Sequence, residues 1–160
     1  MGFRTFTAEF ESPIAPARFF KASVLHLHEN CTTIMPLFIK SAAIVEGDGG
    51  VGSIKEFHFT DFLPFKRASE RVVELDKEKF VYTHSVLEGG KLGIKYKSLW
   101  RKITFEATPS GGSVCKLEGK IEELEGVEFN EEDENNSKED GLATYKAVDA
   151  YLQANPDAYA

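Results

Sequence analysis

Six segments in which apolar and polar residues alternate follow one another along most of this chain, and they constrain its fold more than any other feature. They lie at positions 41–46, 53–60, 66–76, 79–88, 95–107 and 113–123, and a seventh lies at 5–11. A period of two is typical of half-buried β-strands. The later linkers are short and rich in Gly, Pro, Asp and Ser. We therefore expect an antiparallel meander.

A long helix is predicted at positions 130–154, after the last strand. Asn130 suits its N-cap, and four acidic residues follow in the first turn, where they favour the helix dipole. The apolar stripe starts only at Leu142 and continues through Tyr145 to Leu152. Because the first half has little to bury, we expect it to be weakly anchored and to move when a ligand enters.

Two short helices are predicted between the first and second strands. One begins at Pro16, which suits the first turn of a helix, and the other covers about 29–38. The complete order predicts an α+β fold in which a curved sheet wraps around the long helix. Such an arrangement leaves room for an internal cavity.

Length and charge limit the classes of protein to which this chain can belong. A chain of 160 residues predicts one domain at 1–160. No apolar run is long enough to span a membrane, and the N-terminus lacks a secretory pattern, so we expect a cytoplasmic protein. We also expect a monomer. The net charge is −7, with eleven acidic residues and two lysines between 118 and 140. This balance argues against nucleic acid as a partner.

Cys31 and Cys115 are expected to be buried and reduced.

A glycine-rich stretch at 46–53 satisfies the letters of a dinucleotide-binding motif. Its loop residues are Gly47, Asp48, Gly49, Gly50 and Gly52. A dinucleotide site needs a helix directly after the glycines, but an alternating strand pattern follows here. The P-loop pattern also fails, because Ser53 and Ile54 stand where Lys and Ser/Thr are required. We interpret the stretch as a turn between two strands and expect no cofactor.

His26, His28 and Cys31 lie close together in the sequence. Two positions two residues apart point to different faces of a helix, and a metal site usually needs three or four converging ligands. We therefore expect no metal.

Several segments in order along the chain match one family. They are ESPIAPARFFKA at 11–22, EGDGGVGSIK at 46–55, VLEGG at 86–90, ATPSGGS at 107–113 and AVDAYL at 147–152. The chain resembles the plant class-ten pathogenesis-related proteins, whose best-known member is the major birch-pollen allergen. The resemblance implies a helix-grip fold: a seven-stranded antiparallel sheet around a long C-terminal helix, with two short helices closing one end of a cavity. It also implies a carrier or store of amphipathic plant molecules such as flavonoids, cytokinins or steroids, associated with plant defence.

Alternation assigns one face of each strand to the cavity, and His58 falls on the outer face. The long helix contributes from its apolar stripe. The residues predicted to bind a ligand are Phe57, Phe59, Glu70, Tyr82, His84, Val86, Leu99, Arg101, Ile103, Cys115, Leu117, Leu142 and Tyr145.

Arg101 and His84 are polar residues on otherwise apolar walls. An inward arginine is costly unless it is paired, so one interpretation is an ion pair between Arg101 and Glu70, or a side chain that extends to the cavity mouth. The other is that Arg101, His84 and Tyr82 bind a phenolic, carboxylate or other electron-rich ligand.

An enzyme remains the main alternative, either a ribonuclease, as reported for some family members, or a catalyst acting on a specialised metabolite. The resemblance carries three weak catalytic candidates over to Lys55, Asp149 and Tyr151. Lys97 stands where the family has a glutamate, which reverses the charge of a general base. Surface charge is the competing interpretation of Lys55 and Asp149.

An abscisic-acid receptor is the last alternative, because the loops read DFLP at 61–64 and GGKL at 89–92 and lack that group's gate and latch motifs.

Overall fold

A computed structural model describes residues 2–160 and contains one seven-stranded antiparallel sheet. The strands lie side by side in the order β1-β7-β6-β5-β4-β3-β2, so β1 and β2 form the two open edges. Their bounds are β1 Phe3–Ser12, β2 Ile39–Glu46, β3 Ile54–Phe59, β4 Arg67–Asp76, β5 Val81–Gly89, β6 Tyr96–Ala107 and β7 Ser113–Glu123. Register shifts interrupt the β2–β3, β4–β5 and β6–β7 pairings. Such bulges bend a sheet and increase its twist.

The helices are α1 (Pro16–Phe20), α2 (Leu27–Ile34) and α3 (Glu131–Ala154). A π-helical turn at Lys21–Leu25 continues α1 and closes with a hydrogen bond from His26 N to Lys21 O. Helix α2 begins and ends earlier than the predicted range of 29–38. Because residues before a proline disfavour helical geometry, Pro36 explains why this helix ends at Ile34.

An aromatic cluster joins the short helices to the sheet and to α3. The rings of Phe19 and Phe105 lie 4.6 Å apart between centroids, and the Phe20 and Tyr145 rings lie 6.1 and 6.0 Å from the Phe105 ring. Val148 and Leu152 of α3 are fully buried. The densest packing therefore involves the second half of α3.

Arg18 holds the C-terminal segment against α1. Its guanidinium group donates to the backbone oxygens of Leu152, Asn155 and Ala158 at 2.8–3.1 Å. Backbone carbonyls at a helix C-terminus lack intrahelical partners, so this arginine stabilises the end of α3.

In the part of the chain that the structure describes, no helix is both long and apolar enough to cross a membrane. Cys31 and Cys115 are buried free thiols, as the sequence predicted.

Candidate ligand-binding cavity

A cavity of about 480 Å³ lies between the concave face of the sheet, the short helices and α3. Strand β3 contributes side chains of one parity, as expected for residues that alternate across a sheet, whereas β4, β5 and β6 contribute both parities near their register shifts. Nine of the predicted residues line it: Phe57, Phe59, Glu70, Tyr82, His84, Val86, Leu99, Arg101 and Tyr145. His58 lies on the other face, where it pairs with Glu56.

Ile103, Cys115, Leu117 and Leu142 do not line the cavity, and this corrects their assignment. All four are buried in the core. These residues do lie on inward faces. Strand parity predicts which face of a strand is inward, but it does not predict which part of that face is covered by α3. At Gly141 the helix comes so close to the sheet that a methyl group there would lie 2.5 Å from Leu117 Cδ2. Contact of this kind leaves no room for a cavity over that part of β7.

Glu70 stands at the centre of a polar cluster on the cavity wall. Tyr82 Oη donates a hydrogen bond of 2.9 Å to Glu70 Oε1. His84 Nδ1 lies 3.4 Å from Glu70 Oε2, but neither ring nitrogen of His84 has a hydrogen bond. Burial, with Glu70 nearby, raises the pKa of Tyr82 well above its usual value. Burial lowers the pKa of His84, and Arg101 and Lys55 add to this while Glu70 opposes it. The wall therefore presents a neutral phenol and a neutral imidazole.

Arg101 brings a cationic group to the same wall. In residues 2–160 nothing accepts a hydrogen bond from its buried Nε, and the Glu70 oxygens are directed to Tyr82 and His84 instead. The ion pair between Arg101 and Glu70 that one interpretation predicted is not formed. A buried donor without a partner costs free energy, so a ligand acceptor at this position would be favoured.

Lys55 is the main residue whose position was misjudged from the sequence. Its side chain was expected on the surface, but only 4% of the residue is exposed and it lines the cavity. The ammonium donates to Val24 O at 3.3 Å and lies 4.7 Å from the centroid of the Tyr82 ring. The sequence carries a signal for this position, because Lys55 has the same parity as Phe57 and Phe59.

Comparison with known proteins identifies the family. A sequence model of the pathogenesis-related protein Bet v 1 family matches residues 1–155. This chain belongs to the Bet v 1 family. The major strawberry allergen Fra a 1.08 from Fragaria ananassa is 38% identical over 159 residues, which cover 99% of each protein. The predicted resemblance is therefore confirmed.

Solved structures show the same fold. The crystal structure of Ara h 8.0201 superimposes with a TM-score of 0.84 at 26% identity and covers 96% of this chain and 100% of that one. Norcoclaurine synthase from Thalictrum flavum, in complex with dopamine and hydroxybenzaldehyde, gives 0.77 at 20% identity over 96% of this chain and 88% of the synthase. The predicted helix-grip architecture is confirmed.

The glycine loop of this Bet v 1 family member is a tight hairpin connection. Gly47, Gly49 and Gly52 have positive φ angles, which explains why glycine is used there. Four amides of the loop have internal acceptors: Gly49 N donates to Ser53 Oγ, Gly50 N to Asp48 Oδ1, Gly52 N to Val72 O and Ser53 N to Gly50 O. A phosphate cradle needs free amides that point to the ligand, and these four amides are used within the fold.

The three weak catalytic candidates do not form one site. Lys55 faces the cavity, whereas Asp149 and Tyr151 are absent from its lining. Asp149 accepts hydrogen bonds from Ser12 Oγ and Gln153 Nε2. Lys97, at the position of the family's glutamate, lies 3.7 Å from Glu122. The three candidates therefore do not supply an acid and a base at one position.

His26 and His28 both lie beside Glu29, at 3.3 and 3.4 Å. Among residues 2–160, no three His, Cys, Asp or Glu side chains are placed to hold a metal ion.

Proposed function

We propose that this protein binds small amphipathic plant molecules in its cavity and serves as their intracellular carrier or store. The observation that carries the proposal is a largely apolar cavity with one polar wall, on which buried nitrogen atoms of Arg101 and His84 lack hydrogen-bond partners. Its volume of 480 Å³ falls within the range of small-molecule sites, about 300–1,000 Å³. The norcoclaurine synthase complex with dopamine and hydroxybenzaldehyde supports a phenolic ligand for the same fold.

The polar wall defines the expected orientation of the ligand. Its aromatic or steroid-like body packs against Phe57, Phe59 and Leu99, and its phenolic or carboxylate oxygen accepts from Arg101. A charged hydrogen bond of this kind contributes about 1.5–3 kcal/mol when it is buried. Flavonoids, cytokinins and steroids all combine an apolar body with a small number of polar groups, and the proposal includes a role in plant defence.

A displacement assay tests the proposal. An apolar naphthalene sulfonate probe should bind with a stoichiometry of one and be displaced both by cinnamic acid and by cinnamyl alcohol. Cinnamic acid should bind Arg101→Leu at least about tenfold more weakly than it binds the parent, whereas the affinity for cinnamyl alcohol should change little. Arg101→Lys retains a positive charge and serves as the matched control. Equal losses for acid and alcohol would show that Arg101 does not bind the ligand's acidic group.

A second function is favoured by one observation, the hydrogen-bonded pair of Tyr82 and Glu70 beside His84. These groups can donate and accept protons inside a water-poor cavity, which fits a condensation or isomerisation of a specialised metabolite. Such an activity should disappear in Tyr82→Phe while probe binding remains. If the probe binds but no turnover depends on Tyr82, Glu70 or His84, the enzyme function is contradicted and the carrier function stands by itself.

A further inference from the structure

Lys55 is a primary amine enclosed inside the cavity. The other lysine on the cavity lining, Lys91, is one-third exposed and forms an ion pair of 3.0 Å with Asp140. Lys55 has 4% exposure and stands directly opposite Glu70 in the register of β3 and β4. A molecule that enters the cavity therefore meets the Lys55 amine on the same wall as Glu70.

Burial favours the uncharged form of Lys55, which is the form that attacks a carbonyl group. Its direct contacts, the Val24 carbonyl oxygen and the face of the Tyr82 ring, stabilise the ammonium form, but neither is a carboxylate. Glu70 Oε1 accepts a hydrogen bond from Tyr82 Oη, and Glu70 Oε2 lies 3.4 Å from His84 Nδ1, so neither oxygen is paired with Lys55. Burial lowers the pKa of Lys55, and the charge of Glu70 offsets only part of this effect. Lysines desolvated in apolar pockets are the ones that act as nucleophiles toward carbonyl groups.

We propose that Lys55 captures small aldehydes that enter the cavity and holds them reversibly as imines. This inference rests on the proposed binding function, since the aldehyde must first enter the cavity. It adds a covalent ligand class, aromatic or other apolar aldehydes, to the non-covalent ligands proposed above.

The reaction balances without an oxidant or reductant. The lone pair of the neutral amine attacks the carbonyl carbon, a C–N bond forms, and the former carbonyl oxygen takes the amine proton to give a carbinolamine. The hydroxyl group is then protonated and leaves as water, while the nitrogen loses its second proton and forms the C=N bond. One amine and one aldehyde give one imine and one water. Glu70, Tyr82 and His84 are the wall groups that can relay these protons.

Reductive trapping tests the inference. The full chain is incubated at neutral pH with benzaldehyde and sodium cyanoborohydride, which reduces imines to stable secondary amines, and the product is mapped by mass spectrometry. One adduct is expected at Lys55, with a mass increase equal to the aldehyde less one oxygen atom. It should form faster than adducts at exposed lysines, and an excess of benzyl alcohol should suppress it by competition for the cavity.

Variants locate the reactive amine. Lys55→Arg and Lys55→Met should both lose the fast adduct while retaining the circular dichroism spectrum of the parent, and Lys40→Arg, at an exposed position, should keep it. Adducts spread over exposed lysines, or a fast adduct that survives in both Lys55 variants, would overturn the inference.

Probe displacement separates this inference from the proposed function. If benzaldehyde and benzyl alcohol both displace the naphthalene sulfonate but no fast adduct forms at Lys55, the imine proposal fails and cavity binding stands. If neither these compounds nor the cinnamyl pair displaces the probe, the proposed function fails and this inference fails with it.

Discussion

Lys55, His84 and Arg101 are three basic side chains that face one largely apolar cavity, and within residues 2–160 neither Lys55 nor Arg101 forms the carboxylate ion pair that buried cations usually have. Glu70 is the one carboxylate on the same wall, and its oxygens are directed to Tyr82 and His84. Polar groups held in this way reduce stability, and such groups concentrate at functional sites. Strand parity predicted the inward position of His84 and Arg101. It did not reveal which of them would find a partner, because that depends on side-chain geometry across several strands.

The buried imidazole of His84 makes stability depend on pH. Its pKa is lowered by burial, so below about pH 6.5 the unfolded chain binds a proton that the native protein does not. Stability should therefore fall as the pH falls through this value. Thermal unfolding measured from about pH 8 to about pH 5 should show a smaller loss in His84→Gln than in the parent.

His28→Gln is the matched control for that experiment. Burial also lowers the pKa of His28, but its side chain is 20% exposed against 6% for His84, so its contribution should be smaller. Identical pH profiles for the parent and His84→Gln would contradict the assignment.

Gly89, where β5 ends at the cavity lining, has no room for a side chain. An added Cβ would lie 1.9 Å from Arg67 O, and its φ angle is +92°. Gly89→Ala should therefore lower the free energy of unfolding by about 3 kcal/mol. Gly90 has a φ angle of +57° and open space around an added Cβ, so Gly90→Ala should cost only about 1 kcal/mol. Urea denaturation of both variants checks this, and equal effects would show that steric contact is not the cause.

At the scale of elements, α3 divides into two halves held by different forces. The second half packs in the core through Tyr145, Val148 and Leu152. The first half is held by a capping box at Asn130 and by ion pairs from the loop before β6, Lys91 to Asp140 and Lys95 to Asp133. The sequence predicted the cap and the apolar stripe, because both are local patterns. It did not predict the ion pairs, which join residues far apart in the chain.

Hydrogen exchange should distinguish the two halves of α3. Amides at 131–141 should exchange faster than those at 142–152, because few apolar contacts protect them, and a bound naphthalene sulfonate should slow them. Asn130→Ala should accelerate exchange in the first half further and cost about 1 kcal/mol of stability. Exchange at 131–141 that is unchanged by saturating probe would refute coupling between this segment and the cavity.

Element boundaries followed from the sequence where local chemistry sets them. The predicted strands agree with the observed ones within a few residues, because alternation and turn residues are both visible in the letters. The π-helical turn at Lys21–Leu25 was missed. It leads directly into α2, and no simple composition rule distinguishes it from an ordinary helical turn.

For the whole molecule, the order of elements predicted the fold but not the extent of the cavity. The inner faces of β3 to β7 carry the same alternating pattern, yet only part of this surface faces open space. The remainder, including Cys115 and Leu117, is covered by packed side chains. The difference arises because α3 approaches some strands more closely than others. Gly141 has no side chain, and this allows the helix to contact Leu117 of β7.

The two thiols provide a test at this scale. Cys31 and Cys115 are fully buried on α2 and β7, and burial raises the pKa of both. A thiol reagent such as dithionitrobenzoate should modify them only when the structure opens, and saturating probe should slow the reaction because a ligand stabilises the native state. Cys31→Ser and Cys115→Ser report each site separately. Rapid modification of either thiol in the folded protein would contradict the buried placement.

The division of α3 also has a consequence for sequence variation. Asp140 and Thr144 line the cavity, Val148 and Leu152 pack only in the core, and Tyr145 does both. Substitutions at Asp140 or Thr144 would therefore change the cavity lining without removing a ring from the Phe19 and Phe105 cluster. A scaffold built in this way can diversify its ligands while its fold stays constant.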